Sequence, residues 1–322
     1  MNATPEPVDR ALDARGLELI RLDDGSVVAK RGVREVRLGD VAASALLERV
    51  AVLLDGTRTT QALLAELPAA DRALAVEVLA FLLERGLVGD AGTPDTPEGR
   101  FWRTFGPYGV PAPERLRAAR VAVIGDGRIA RTLVEQLAAC GVGHVDAVSA
   151  DEVAPGTALV CAASDEGESA ALMDAARAAL EAELPFLPVW AAELVGYVGP
   201  LTEPFETACL RCYQLRVESN SAHPDAVRAI REHRAATPAA GDASGMLPPM
   251  ATALAAVAAM EAVKRLAGFA PADVTGYVVE LNLVSFSSNV RRVLKLPRCP
   301  ECGDTLRRTP VALTRGPQVP GR

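Results

Sequence analysis

The chain has 322 residues, 49 % of them hydrophobic and 23 % charged. That is enough for about two domains with sizeable cores, and the composition excludes a disordered polymer. A net charge of −7 argues against a nucleic-acid coat or a protein built to lie on anionic membranes. The only lysines are Lys30, Lys264 and Lys295, and none completes a Gly-x-x-x-x-Gly-Lys-Ser/Thr pattern, so a P-loop phosphate site is excluded.

The start, with Pro5, Glu6, Pro7 and Asp9, lacks the basic and apolar blocks of a secretory signal. No run approaches the ~18 apolar residues that a bilayer span needs. A cytoplasmic location is expected, and the six cysteines then read as thiols or metal ligands rather than disulfides.

In chain order, Leu17–Leu22 and Ser26–Lys30 flank Asp23-Asp24-Gly25 and predict a hairpin. Val33–Leu38 alternates like a third strand. Asp40 caps a helix carrying Leu46, Leu47, Val50, Leu53 and Leu54, which stops at Gly56. Thr59–Leu67 predicts a short second helix. Asp71–Arg85 predicts a third, with Leu74, Val78, Phe81 and Leu82 on one face. Three strands and three helices suggest a winged-helix-like unit. DNA binding by such a unit is disfavoured: residues 1–92 hold 11 Arg and Lys against 15 Asp and Glu, and the third helix has no basic row. The Gly/Pro/Thr-rich stretch from Gly89 to Gly99 marks a linker, set at 91–100. It separates a domain over 1–90 from one over 101–304, with 305–322 as a flexible tail.

The run Leu53-Leu54-Asp55-Gly56-Thr57-Arg58-Thr59, with Leu63-Leu64 and the later Leu82-Leu83-Glu84-Arg85-Gly86-Leu87, resembles the PqqD-like recognition element of ribosomal peptide (RiPP) pathways. That resemblance implies capture of a precursor's leader peptide between the third strand and the third helix. Here those elements supply Val33, Arg34, Glu35, Val36, Arg37 and Leu38 on the strand, and Leu74, Glu77, Val78 and Phe81 on the helix. An exposed strand can pair with an extended peptide while an adjacent helix offers pockets to alternate side chains. The competing reading makes the apolar residues plain core and the charged ones solvated surface.

Further on, Arg120–Ile124 runs into Gly125-Asp126-Gly127-Arg128-Ile129-Ala130 and then a helix to Ala139. This Gly-x-Gly-x-x-Ala turn after a strand is the entry to a nucleotide-binding fold. Strands at Val145–Val148, Ala158–Ala163 and Phe186–Trp190, with an Ala-rich helix over Glu168–Glu183, predict an α/β domain with a Rossmann-like parallel sheet. Cys209-Leu210-Arg211-Cys212 and Cys299-Pro300-Glu301-Cys302 are two C-x-x-C pairs, the spacing of a closed four-sulfur structural Zn2+ site. Cys140 and Cys161 sit in apolar runs and are expected to be buried. The stretch Glu218–Pro249 reads as a polar loop, Met250–Leu266 as a helix, and Gly276–Phe286 with Asn289–Leu296 as a strand pair.

The Gly-x-Gly turn with paired C-x-x-C motifs resembles the ThiF-like, ubiquitin-activating-enzyme-like family. Gly199-Pro200-Leu201 and Cys299-Pro300-Glu301-Cys302-Gly303 are similar to its azole-pathway (TOMM) branch, the cyclodehydratase C or ocin-ThiF-like proteins. Active family members adenylate a carboxylate, using a ribose-binding acid, a helix with Arg, Gln and Lys, and a magnesium-binding Asp. Here Ser149-Ala150 replace the ribose acid, although Asp151 is near. Val153–Gly156 leaves no room for the basic helix, and only Asp165 could serve as the metal acid, by a shifted register. The resemblance therefore implies a kept fold with lost chemistry, Gly125, Gly127 and Ala130 being vestigial nucleotide-site residues. It implies a non-catalytic partner that presents the precursor to a separate YcaO-type cyclodehydratase, with ATP used by that partner, and it allows a homodimer. The alternative is an active adenylase acting on a peptide or carrier-protein C-terminus. A dinucleotide enzyme using Asp146 is a third reading, one that gives the cysteines no role.

Overall fold

The computed structural model describes residues 9–32, 34–91, 96–105, 108–236 and 245–303. Val33, the linker residues 92–95, residues 237–244 and the tail from 304 onward lie outside them. The chain divides into two compact units, 1–113 and 114–322.

The smaller unit holds two three-stranded sheets. The first joins β1 (Ala11–Asp13), β5 (Asp55–Thr59) and β6 (Gly89–Asp90) in the order β5-β1-β6. The second is an antiparallel meander of β2 (Glu18–Arg21), β3 (Val27–Arg31) and β4 (Arg34–Leu38), with Ile20 opposite Val28 and Ala29 opposite Val36. Three helices pack with them: α1 (Val41–Ala51), α2 (Thr60–Glu66) and α3 (Arg72–Glu84). Asp40 caps α1 by accepting from the Ala43 amide, and Thr59 caps α2 through the Ala62 amide. Leu12, Val27, Ala29, Leu47, Leu63, Leu79, Leu82 and Leu87 form one core. Each buried leucine is worth roughly 1.5–3 kcal/mol, which lets so small a unit hold together. The first sheet goes beyond the three-strand expectation: Asp55–Thr59, where the first helix was expected to stop and the second to begin, is β5, paired to β1. A further helix, α4 (Pro97–Arg103), follows in this unit, and its Arg103 guanidinium reaches the fully buried Asp13 carboxylate at 3.1 Å.

After α5 (Ala112–Ala118), which spans the division, the larger unit is one seven-stranded sheet in the order β13-β12-β11-β10-β9-β7-β8. The strands β7 (Arg120–Ile124), β8 (His144–Ala147), β9 (Leu159–Ser164) and β10 (Phe186–Ala192) are parallel. The strands β11 (Val195–Val198), β12 (Tyr277–Asn282) and β13 (Ser288–Arg292) extend it antiparallel. β9 is buried at every position, as a central parallel strand covered on both faces must be. Helices α6 (Arg128–Ala139) and α10 (Pro248–Ala267) pack together. α7 (Ala170–Glu181) and α8 (Leu210–Asn220) share a core with Phe186, Trp190 and the four C-x-x-C cysteines.

Two expectations are corrected. Pro224–Ala236, within the stretch read as a loop, is a helix, α9, with Pro224 as its first residue, the position where a missing N–H costs nothing. Cys161 is buried but Cys140 is exposed, because α6 ends at Ala139 and Cys140 turns the chain outward as its cap.

Candidate functional site

Three places in the fold carry chemistry. The first lies in the smaller unit. β4 pairs with β3 on one side only, so its other edge is open among the described residues. Beside its end, a cavity of about 340 Å³ is lined by Arg37, Leu38, Leu74, Glu77, Val78 and Phe81, with Gly39, Asp40 and Ala43 from the start of α1. Thus six of the ten expected peptide-binding residues converge on one hollow. The helical periodicity of α3 sets Leu74, Val78 and Phe81 on the face turned to it. Glu77 is exposed at the rim, and the Arg85 guanidinium lies 5.3 Å above the Phe81 ring. The remaining strand residues do other things. Arg34 donates to the Arg85 carbonyl at 3.3 Å and the Thr104 carbonyl at 2.5 Å, Val36 packs on the core, and Glu35 faces solvent. Arg37 donates to Ser26 Oγ at 3.0 Å and pairs with Asp24. Gly39, Asp40 and Ala43 were missed as lining; their position just after the strand was the available signal.

The second place is the turn between β7 and α6. β7 lies between β8 and β9, so chain connections leave it in opposite directions, and the crevice at its carboxyl end is where open α/β sheets take ligands. A cavity of about 480 Å³ there is lined by Gly125–Arg128, Arg131, Ala162–Glu166 and Ser169. Gly125 has φ +130°, and a Cβ on it would stand 2.4 Å from the Ala163 carbonyl oxygen, so the turn needs glycine. The Asp165 carboxylate fills the place an anion would take. It accepts from the Arg128 amide at 2.6 Å and the Ile129 amide at 3.0 Å, and a Cβ on Gly127 would meet it at 2.6 Å. Arg131 donates to the Asp126 carbonyl. Ala130 is buried beneath the turn. Asp151, the proposed substitute for the ribose acid, lies on a single 3-10 turn, Ala150–Glu152, between β8 and β9, where no α-helix intervenes.

The third place is the cysteine cluster. Cys209 opens α8, Cys212 sits in its first turn, and Cys299 and Cys302 follow β13. The four sulfurs lie within 4.8 Å of one another and all four residues are buried. Nearest separations are 3.5 Å (Cys212–Cys302), 3.7 Å (Cys209–Cys299) and 3.9 Å (Cys209–Cys212). The Leu296 amide donates to Cys212 Sγ at 3.4 Å, and contact with Cys209, with help from Cys302 and this amide and against Cys299 and burial, draws the Cys212 thiol below its ordinary value. Gly303 packs so closely on the Cys299 carbonyl that a Cβ would stand 2.4 Å from it. The group can hold one metal ion on four protein ligands.

No curated protein matches this chain. Among solved structures, the fold is similar to a heterocyclase in complex with substrate and cofactor (TM-score 0.67, 21 % identity, covering 91 % of this chain and 40 % of that one). It is similar to the heterocyclase TruD (0.69, 21 %, 96 % and 46 %). It is similar to Escherichia coli MccB with MccA-N7isoASN (0.65, 13 %, 92 % and 100 %). The chain spans less than half the length of the two heterocyclases. No helix among the described residues is long and apolar enough to cross a membrane. Residues 147–303, from the end of β8 through the second cysteine pair, match the ThiF family. The larger unit therefore carries a ThiF family domain.

Proposed function

We propose that this protein is a non-catalytic recognition component of a ribosomal peptide pathway. The carrying observation is the hollow between the open edge of β4 and α3, which gathers Arg37, Leu38, Leu74, Glu77, Val78 and Phe81. An extended leader peptide would pair along the β4 edge through Arg34–Leu38 and sink an apolar side chain against Val78 and Phe81. Within the smaller unit, residues 1–90 are read as a PqqD-like recognition domain; the stretch 91–100 expected as a linker to the ThiF-like domain over 101–304 runs into α4, which still belongs to the smaller unit. The ThiF-like domain would dock a separate YcaO-type cyclodehydratase that spends ATP to close Cys, Ser or Thr residues into azolines. Holding leader and enzyme together raises the effective concentration of every core residue at once. Likeness to a substrate-bound heterocyclase and to MccB with its peptide supports this reading.

Against adenylation stands Asp165, whose carboxylate holds the two amides a phosphate would need, while no helix after β8 brings cations to the cleft. Adenylation relies on such preorganised positive charge. The family match also begins after the glycine turn. The cysteine cluster is proposed as structural zinc: a tetrahedron of Zn–S bonds of about 2.3 Å has sulfur–sulfur edges of about 3.8 Å, close to the separations seen here. With four protein ligands no position is left for a reacting water. Reduced thiolates of this kind fit a cytoplasmic protein.

The test is binding of the full chain to a fluorescent leader peptide from a precursor encoded beside its gene. Phe81→Ala and Glu77→Arg should each weaken it about tenfold or more, a loss of ~1.4 kcal/mol. Unchanged affinity in both variants refutes the groove. A pyrophosphate-exchange signal from the purified chain would favour the adenylase instead.

A further inference from the structure

A cavity of about 330 Å³ in the larger unit belongs to neither the glycine turn nor the cysteine cluster. It lies where α8 and α9 cover β10 and β11, and its floor is aromatic. Trp190 and Tyr197 are cross-strand neighbours, stacked at 4.9 Å and 7°, and Tyr213 meets Trp190 edge-on at 5.5 Å. Ile230 closes the apolar side from α9.

Its polar groups are uneven. Arg231 is committed to Glu168 and Glu218, and Glu168 also accepts from Gln214 at 2.7 Å. Arg234, one turn of α9 further on, lines the same cavity and makes no ion pair or hydrogen bond among the described residues. Tyr213 is 8 % exposed and Tyr197 half-buried, and neither hydroxyl makes a hydrogen bond among them. Burial, then the nearby Glu168 and Glu280, raises both phenol pKa values, so both hydroxyls remain donors at neutral pH. Both tyrosines line the cavity, and their hydroxyls can donate to a ligand's acceptor. Aromatic walls, donors without acceptors and one uncommitted guanidinium select a flat apolar body carrying a carboxylate.

We propose that this cavity binds an aromatic carboxylate, ring against Trp190, Tyr197 and Tyr213 and carboxylate toward Arg234. The volume suits a ligand of amino-acid size. That chemistry has two sources: a free aromatic acid, or an aromatic residue followed by an acidic one in a bound polypeptide.

The chain has two tryptophans, Trp102 and Trp190, so a Trp102→Phe background makes fluorescence excited at ~295 nm a report from the cavity floor. Phenylacetate, its neutral analogue phenylacetamide and the blocked peptide acetyl-Gly-Phe-Glu-Gly-amide are titrated in, and calorimetry on the unaltered chain gives a second readout. The expected result is a saturable change with phenylacetate, at least about tenfold weaker with phenylacetamide, and loss of that difference in Arg234→Ala. A peptide binding more tightly than phenylacetate assigns the site to a polypeptide; the reverse order assigns it to a small acid. No saturable response or heat from phenylacetate or the peptide overturns the proposal. So does equal binding in Arg234→Ala. Neither result bears on the leader groove, which lies in the other unit.

Discussion

Replacing Asp165 by alanine tests the idea that this carboxylate stands where a phosphate would. The side chain accepts from Arg128 N at 2.6 Å and Ile129 N at 3.0 Å at the start of α6. Hydrogen bonds to a charged acceptor are worth about 1.5–3 kcal/mol each, and a negative charge at a helix N-terminus adds about 0.3–1 kcal/mol. Most of that is returned by water, because the site opens into a cavity of about 480 Å³. The expected net loss is that of a helix cap, about 1–2 kcal/mol. For a unit of this size it lowers the melting temperature by about 2–8 °C. Thermal unfolding followed by Trp190 in the Trp102→Phe background isolates the larger unit. The same variant frees two amides, so pyrophosphate at ten times a millimolar Kd should restore about 1.4 kcal/mol to it and leave the parent unmoved. A variant as stable as its parent, or a parent stabilised by pyrophosphate as much as the variant, would refute the reasoning.

Chelation, or Cys302→Ser, should strip one zinc per chain, measured by elemental analysis. With metal at a hundredfold over Kd, its loss removes about 2.7 kcal/mol, or about 5–11 °C in the melting temperature of the larger unit. In the smaller unit, burial opposes ionisation of Asp13 but hydrogen bonds from Arg15 and the charges of Arg15 and Arg103 outweigh it, leaving its pKa depressed. A depressed carboxyl stabilises the fold above its unfolded pKa of about 3.9 and loses that contribution as pH falls through the folded value. Urea unfolding followed by Trp102 should therefore show a loss of stability below about pH 4 that is missing in Asp13→Asn, which is already weaker at pH 7. Burial pushes the Cys161 thiol up to about 12, whereas Cys140 is exposed. Mass spectrometry after alkylation at pH 8 should find Cys140 labelled and Cys161 untouched; label on Cys161 would contradict its burial.

What the sequence showed, and what it hid, follow from length and periodicity. The β2–β3–β4 meander, α3 and the parallel strands had clear alternation, helical spacing or continuous apolar runs, and each formed close to where those patterns placed it. β1 and β6 have only three and two residues, too few for a period, and β5 contains Gly56 and reads as the break between two helices until its partner β1 is known. β11 was hidden by Gly196, where a Cβ would press on the Leu254 side chain at 2.7 Å. The cysteine quartet was legible because paired thiols at i, i+3 have a spacing set by coordination rather than by packing. The lining of the β4–α3 hollow was legible in part: the face of α3 can be counted off, but the contribution of Gly39, Asp40 and Ala43 depends on how the chain turns from β4 into α1. The aromatic cavity was not legible at all, since Trp190, Tyr197 and Tyr213 meet only through the β10–β11 register and the packing of α8.

The connection from β8 to β9 decides what the glycine turn can do. An α-helix at that point would stand beside the carboxyl ends of β7 and β9 and could carry cations over the cleft. Here residues 148–158 make one 3-10 turn, capped by Ser149 and Glu152, and pass directly into β9. The cleft is left with Arg128 and Arg131 against Asp126, Asp165 and Glu166, a lining that repels a triphosphate. The two amides at the start of α6 still need an acceptor, and a carboxylate from the end of β9 is the nearest group that can reach them. The short connection and the Asp165 contact therefore fit together in the proposed non-catalytic reading: the first brings no cations to the cleft, and the second satisfies the two amides that a phosphate would otherwise take.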